Sequence, residues 1–92
     1  MNMQTRHLII TGRVQGVGFR QYLAYKAQQF QISGWVRNCH DGSVAAMIQG
    51  APENVAAIIE RAKRGPRNAS VTDVTVSEGS GNYSTFIILP TE

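Results

Sequence analysis

Cysteine is nearly absent from this sequence: Cys39 is the only one in 92 residues. An internal disulfide framework is therefore excluded, and the expectation is a reducing, cytoplasmic setting. With two histidines, His7 and His40, beside it, a Cys/His zinc site is excluded as well. Long apolar runs are also missing. Stretches such as Leu8-Ile9-Ile10 fall far short of the ~20 residues a membrane helix needs. The opening residues, Met1 to His7, lack the apolar stretch of a secretory signal. Charge is sparse, with Asp, Glu, Lys and Arg making up 16% of the chain, yet hydrophobic residues reach 42%, which is too many for a disordered segment. The length suits one domain spanning residues 1–92, because two would each be too small to bury a core.

What charge there is leans positive. Nine Lys and Arg stand against six Asp and Glu, a net +3, with an isoelectric point near 9.5. That favours anionic partners without saying which. Arg61, Lys63, Arg64 and Arg67 cluster where a helix should end; they read as complements to its negative pole ahead of the alternative, a nucleic-acid patch. Arg13, Arg20 and Arg37 are scattered through the first half.

The apolar spacing predicts a strand over 7–14, with Leu8, Ile10 and Val14 on one face. A glycine-rich turn, Gln15-Gly16-Val17-Gly18, leads into an amphipathic helix over 19–30 carrying Phe19, Tyr22, Leu23, Ala27 and Phe30. Strands are predicted from Gly34 to Cys39 and from Ser43 to Gly50, joined by a hairpin at Asp41-Gly42. A second helix starts at Pro52, places Val55, Ile58, Ile59 and Ala62 on one stripe, and stops at Gly65-Pro66. Val71, Val74 and Val76 mark a fourth strand, residues 78–82 a flexible turn, and Tyr83 to Leu89 a fifth strand.

This β-α-β-β-α-β order with an additional C-terminal strand predicts a ferredoxin-like α+β fold. Two helices should cover one face of a single mixed, mostly antiparallel sheet. Strands one and two then run parallel with strand three between them, so the glycine turn and the end of strand two become neighbours.

Gly16 and Gly18 permit positive φ and close approach to a ligand. The helix that follows has no Ser, Thr, Asp or Asn at its cap, so its first N–H groups suit an anion. Arg20 opposes the dipole in that first turn, which is unfavourable for stability but useful beside a phosphate. A tight strand-to-helix turn with a solvent-facing arginine accounts for the same residues. No Gly-Lys-Ser/Thr is present, Gly12, Gly16 and Gly18 do not match Gly-x-Gly-x-x-Gly, and no cysteine stands five residues before an arginine. Cys39 and His40 point to opposite faces while both keep strand geometry, and in that geometry they do not pair as nucleophile and base. Asn38 reads either as a turn residue or as an amide able to hold a water and a substrate oxygen together.

These same residues carry a resemblance. Gly12-Arg13-Val14-Gln15-Gly16-Val17-Gly18-Phe19-Arg20 matches the first signature of the acylphosphatases without a mismatch. Gly34-Trp35-Val36-Arg37-Asn38, with Gly42, Val44 and Gly50, resembles the second. Gly65 to Val71 and Phe86-Ile87-Ile88 are similar to later parts of that family. The resemblance implies a small cytosolic hydrolase that cleaves the carboxyl–phosphate bond of acyl phosphates with no metal or other cofactor. It implies that Arg20 binds the phosphate, that Asn38 positions the water, and that the backbone of Gln15, Gly16, Val17, Gly18, Phe19 and Arg20 forms the cradle. Inorganic phosphate is then product and competitive inhibitor, the chain a monomer, and the partner a small-molecule acyl phosphate rather than nucleic acid or membrane. Acetyl phosphate, carbamoyl phosphate and 1,3-bisphosphoglycerate share the group addressed. The tail departs from the family pattern: many members end in a basic residue, whereas this chain ends Leu89-Pro90-Thr91-Glu92.

With no His, Asp or Glu in either signature core, no strong general base is evident. An acyl phosphate needs little of one, since its carboxylate leaves readily and phosphoryl transfer is largely dissociative. Two rivals share the fold. An RNA-recognition module wants stacking aromatics, and the third strand, Ser43 to Gly50, has none. A non-catalytic anion sensor could use the same loop, but the Arg20 and Asn38 pair speaks for hydrolysis.

Overall fold

A computed structural model describes residues 2–92. Its elements are β1 (Gln4–Arg13), α1 (Phe19–Gln29), β2 (Ser33–Asn38), β3 (Val44–Gly50), α2 (Pro52–Arg64), β4 (Ser70–Glu78) and β5 (Phe86–Ile88). The sheet order is β4-β1-β3-β2-β5. Pairs β4–β1, β1–β3 and β3–β2 are antiparallel, while β2–β5 is parallel. This is the ferredoxin-like arrangement that the element order implies, with β5 as the extra edge strand.

Period-two alternation selects the buried face. Leu8 and Ile10 of β1, Val36 of β2, and Val44, Ala46 and Ile48 of β3 are fully buried. They meet Phe19, Leu23 and Ala27 of α1 and Val55, Ile58 and Ala62 of α2 in one cluster. Each large side chain so buried contributes about 1.5–3 kcal/mol. Tyr22 ties the helices together, its hydroxyl donating to the Arg61 carbonyl at 3.1 Å, near the end of α2.

Boundaries differ from the sequence reading where long-range contacts outweigh local pattern. β1 begins three residues earlier, at Gln4, and stops at Arg13, although Val14 stays buried just past it. A bulge between Thr11 and Gly12 shifts the register against β4 there. α1 ends at Gln29, and Phe30 serves as its cap. β2 ends at Asn38 rather than Cys39, and β3 starts at Val44 rather than Ser43. The hairpin between them has a three-residue loop, closed by Cys39 N–H to Ser43 O at 2.9 Å. β4 runs on to Glu78, so the connection to the last strand starts one residue later, at residue 79.

The largest departure is β5, which covers three residues instead of Tyr83 to Leu89. Buried Gln49 is the reason. Its amide donates to the Gly81 carbonyl at 2.8 Å, and its carbonyl accepts the Tyr83 N–H at 3.1 Å. Residues 81–83 are thus held by a side chain instead of a strand ladder.

Candidate active site

The glycine turn between β1 and α1 is pinned at both ends and open in the middle. Val14 and Phe19 are 1% and 2% exposed, whereas Gly16 and Gly18 face solvent. Both glycines are left-handed, at φ 72° and 80°, and a Cβ on either would meet nothing within 4 Å. Backbone conformation, not crowding, therefore requires glycine here.

Gly18 caps α1 without any side-chain bond, and the first turn holds no acidic residue. The first helical hydrogen bond runs from Tyr22 N–H to Gly18 O at 3.0 Å. Among the described residues, the amides of Gly16, Val17, Gly18, Phe19 and Arg20 donate to no protein acceptor. Successive free N–H groups at a helix N-terminus make an anion site. Arg20 is half-buried in the same turn and has no ion pair or side-chain hydrogen bond among the described residues. Two sources of positive potential therefore coincide, and no carboxylate pairs with Arg20 among the described residues.

β1 and β2 run parallel on either side of β3, where Val44 pairs with Ile10 on one side and Asn38 on the other. Asn38 thus sits about 10 Å, two strand spacings, from Ile10, three residues before the end of β1. It shares the helix-covered face with Val36 and is 9% exposed. Its Oδ1 is buried with no hydrogen-bond partner. Leaving such a group unpaired costs about 1–3 kcal/mol, which a purely structural asparagine would avoid.

Gln15, whose backbone opens the loop, has a side-chain role that the sequence did not reveal. Its Nε2 donates to the carbonyls of Cys39 at 2.7 Å and Ser43 at 2.8 Å. One side chain therefore fastens the loop to the hairpin that follows Asn38. The hairpin is itself braced: Asp41 accepts from the Ser43 hydroxyl and N–H at 2.6 and 2.9 Å. The Ser43 hydroxyl, then its N–H, hold the Asp41 carboxyl below the usual carboxylate range.

The C-terminal tail was also missed. Leu89 N–H donates to Val36 O at 2.8 Å and Glu92 N–H to Asn38 O at 3.0 Å, and His40 N–H returns to Glu92 O at 3.1 Å. The Glu92 carboxylate meets the Arg37 guanidinium at 3.0 Å, and that guanidinium lies over Trp35 at 4.6 Å. The acid at the tail and the base in the second signature were the only available signal, and a weak one. Cys39 is half-buried with a free thiol, and His40 is exposed.

Among the described residues no three His, Cys, Asp or Glu side chains converge as metal ligands. No helix among them is long and apolar enough to cross a membrane. A depression of about 480 Å³ lies between α1 and β5, lined by Ala24, Tyr25, Gln28, Ile32 and Phe86. It contains none of the free amides.

Comparison with known proteins gives the same direction. A model of the acylphosphatase family matches residues 6–88. The acylphosphatase of Thiobacillus denitrificans is 51% identical over 84 residues, covering 91% of this chain and 94% of that protein. The structure of an acylphosphatase from Coxiella burnetii superposes with a TM-score of 0.92 at 32% identity, over 96% of this chain and 94% of that one. The acylphosphatase from Bacillus subtilis gives 0.89, also at 32%, over 96% and 99%.

Proposed function

The chain belongs to the acylphosphatase family and hydrolyses acyl phosphates, and on that premise we propose which residues do so and how. The phosphoryl group of the substrate rests on the amides from Gly16 to Arg20, with the Arg20 guanidinium forked onto its oxygens. The Asn38 amide holds the attacking water in line with the bond to be broken. The water oxygen forms a bond to phosphorus as the phosphorus–oxygen bond to the acyl group breaks. The electron pair leaves with the carboxylate. Both protons of the water end on the phosphate, so a dianionic acyl phosphate gives a carboxylate and dihydrogen phosphate.

What carries this reading is the run of free amides beside an unpaired Arg20, together with the orphaned Oδ1 of Asn38. Catalysis then comes from position and from charge complementarity that is already in place. Gln15 acts at one remove, through the hairpin. The reaction uses no metal, and the 92 residues work as one monomeric domain in the cytoplasm, with inorganic phosphate competing for the loop.

The test is hydrolysis of benzoyl phosphate in excess chelator. Wild type should turn over, and phosphate should inhibit it competitively. Arg20→Ala should collapse kcat, raise KM and lose phosphate inhibition. Arg20→Lys should recover little, because a point charge does not reproduce the fork. Activity that disappears with chelator and returns with a divalent cation would overturn the metal-free mechanism. Normal phosphate inhibition in Arg20→Ala would move the site elsewhere.

A further inference from the structure

The glycine loop has two neighbours, and only one has a role so far. On the β3–β2 side lies the hairpin that carries Asn38, fastened through Gln15. On the β4 side lies the segment from Gly65 to Ser70. A Cβ on Gly65 would sit 3.2 Å from the Phe19 ring, and Ser70 pairs with Arg13 at the end of β1. The last turn of α2 therefore reaches the loop end of the molecule, as the Tyr22 bond to Arg61 also requires.

That second neighbour is strongly basic. Lys63 is paired with Glu60 at 3.2 Å, and the Arg61 guanidinium sits over the Phe30 ring at 5.5 Å. Arg64 and Arg67 are exposed and have no ion pair among the described residues. Complementing the pole of α2 accounts for Arg64, but Arg67 lies three residues beyond the helix. The carboxylates on this side are Glu60, paired with Lys63, and Asp73 on β4, which accepts from the Thr75 hydroxyl at 3.3 Å; neither pairs with Arg64 or Arg67 among the described residues.

In-line displacement gives this placement a consequence. With the water held at Asn38, the leaving acyl group points away from it. The sheet order β4-β1-β3-β2 makes that direction the β4 side, over the Gly65–Ser70 segment. We propose that Arg64 and Arg67 form a second anion-binding rim that receives the acyl half of the substrate, so that acyl phosphates bearing a further negative charge there are preferred. This rests on the proposed role of Asn38. The rim touches no reacting atom, so its effect belongs in KM rather than kcat.

Two aryl substrates matched in size test it: 4-carboxybenzoyl phosphate and 4-methylbenzoyl phosphate. At low salt wild type should favour the carboxylate by about fivefold in kcat/KM, the scale of two exposed cations, shrinking to about twofold or less near 0.5 M salt. Arg64→Gln/Arg67→Gln should abolish the preference and leave 4-methylbenzoyl phosphate hydrolysis unchanged. Arg64→Glu/Arg67→Glu should reverse it. Equal rates for the two substrates in wild type at low salt, or a preference that survives in the double glutamine variant, would overturn the rim while leaving the catalytic reading intact. Failure to hydrolyse either substrate would overturn the catalytic reading and the rim with it.

Discussion

Gln15→Met removes the two donated bonds that fasten the loop to the hairpin while keeping the length of the side chain. Those bonds, at 2.7 and 2.8 Å, are neutral and part-buried. Each contributes about 1 kcal/mol net. Neither carbonyl would be orphaned, because Cys39 O still accepts from Gly42 N–H at 3.0 Å and Ser43 O from Cys39 N–H at 2.9 Å. The full desolvation penalty is therefore avoided, and the loss should be about 2 kcal/mol. For a domain of this size that lowers Tm by roughly 8–16 °C. Gln15→Glu should be worse, since a carboxylate has no proton to donate and would face two carbonyl oxygens. Thermal melts by circular dichroism, with urea titrations to confirm an unchanged m-value, measure both. Hydrolysis assays should show kcat falling in Gln15→Met, as Asn38 is no longer held against the loop. A Gln15→Met protein melting within about 2 °C of wild type would refute the reasoning, as would Gln15→Glu proving no less stable than Gln15→Met.

Two further outcomes follow from backbone and charge. Gly18→Ala meets no neighbour and suffers only its positive φ, about 1–2 kcal/mol, whereas Gly12→Ala would also collide with the Ser70 carbonyl and lie 2.7 Å from the Thr72 amide. Urea titration should therefore place Gly12→Ala well below Gly18→Ala, and equal stabilities would contradict the close approach at the bulge. The Asp41 carboxyl titrates below its usual range in the folded chain, so its stabilisation is complete above the unfolded pKa and is lost as pH falls through the folded one. Wild type should accordingly lead Asp41→Asn in stability at pH 7 and lose that lead as pH falls below the usual carboxylate range; a gap that does not change with pH would show that the charge is not involved.

The elements legible in the sequence are those punctuated locally. Pro52 and Gly65-Pro66 bracket α2, Asp41-Gly42 marks the hairpin, and alternation in Leu8, Ile10 and Val36 marks strands that bury one face. The glycine loop was legible for the same reason, since positive φ and an uncapped helix leave traces within six residues, Gln15 to Arg20. What escaped depends on side chains reaching across the chain. Gln49 shortens β5 by binding Tyr83, 34 residues away, and Gln15 reaches Ser43 across 28. No local pattern distinguishes a glutamine spent on a distant carbonyl from one in solvent. Asn38 is the instructive case. Its residue type suggests a turn, and only the burial of an unpaired Oδ1 at the end of β2 separates it from one.

The central claim, that Asn38 places the water while the loop and Arg20 hold the phosphate, is tested most directly by steady-state hydrolysis in Asn38→Ala with inorganic phosphate as competing ligand. The account predicts a kcat lower by about 10²-fold or more, the range for a positioned polar group in a transition state, with phosphate inhibition and Tm close to wild type. A folded Asn38→Ala enzyme with near-normal kcat would contradict it, making the asparagine structural and placing the water elsewhere.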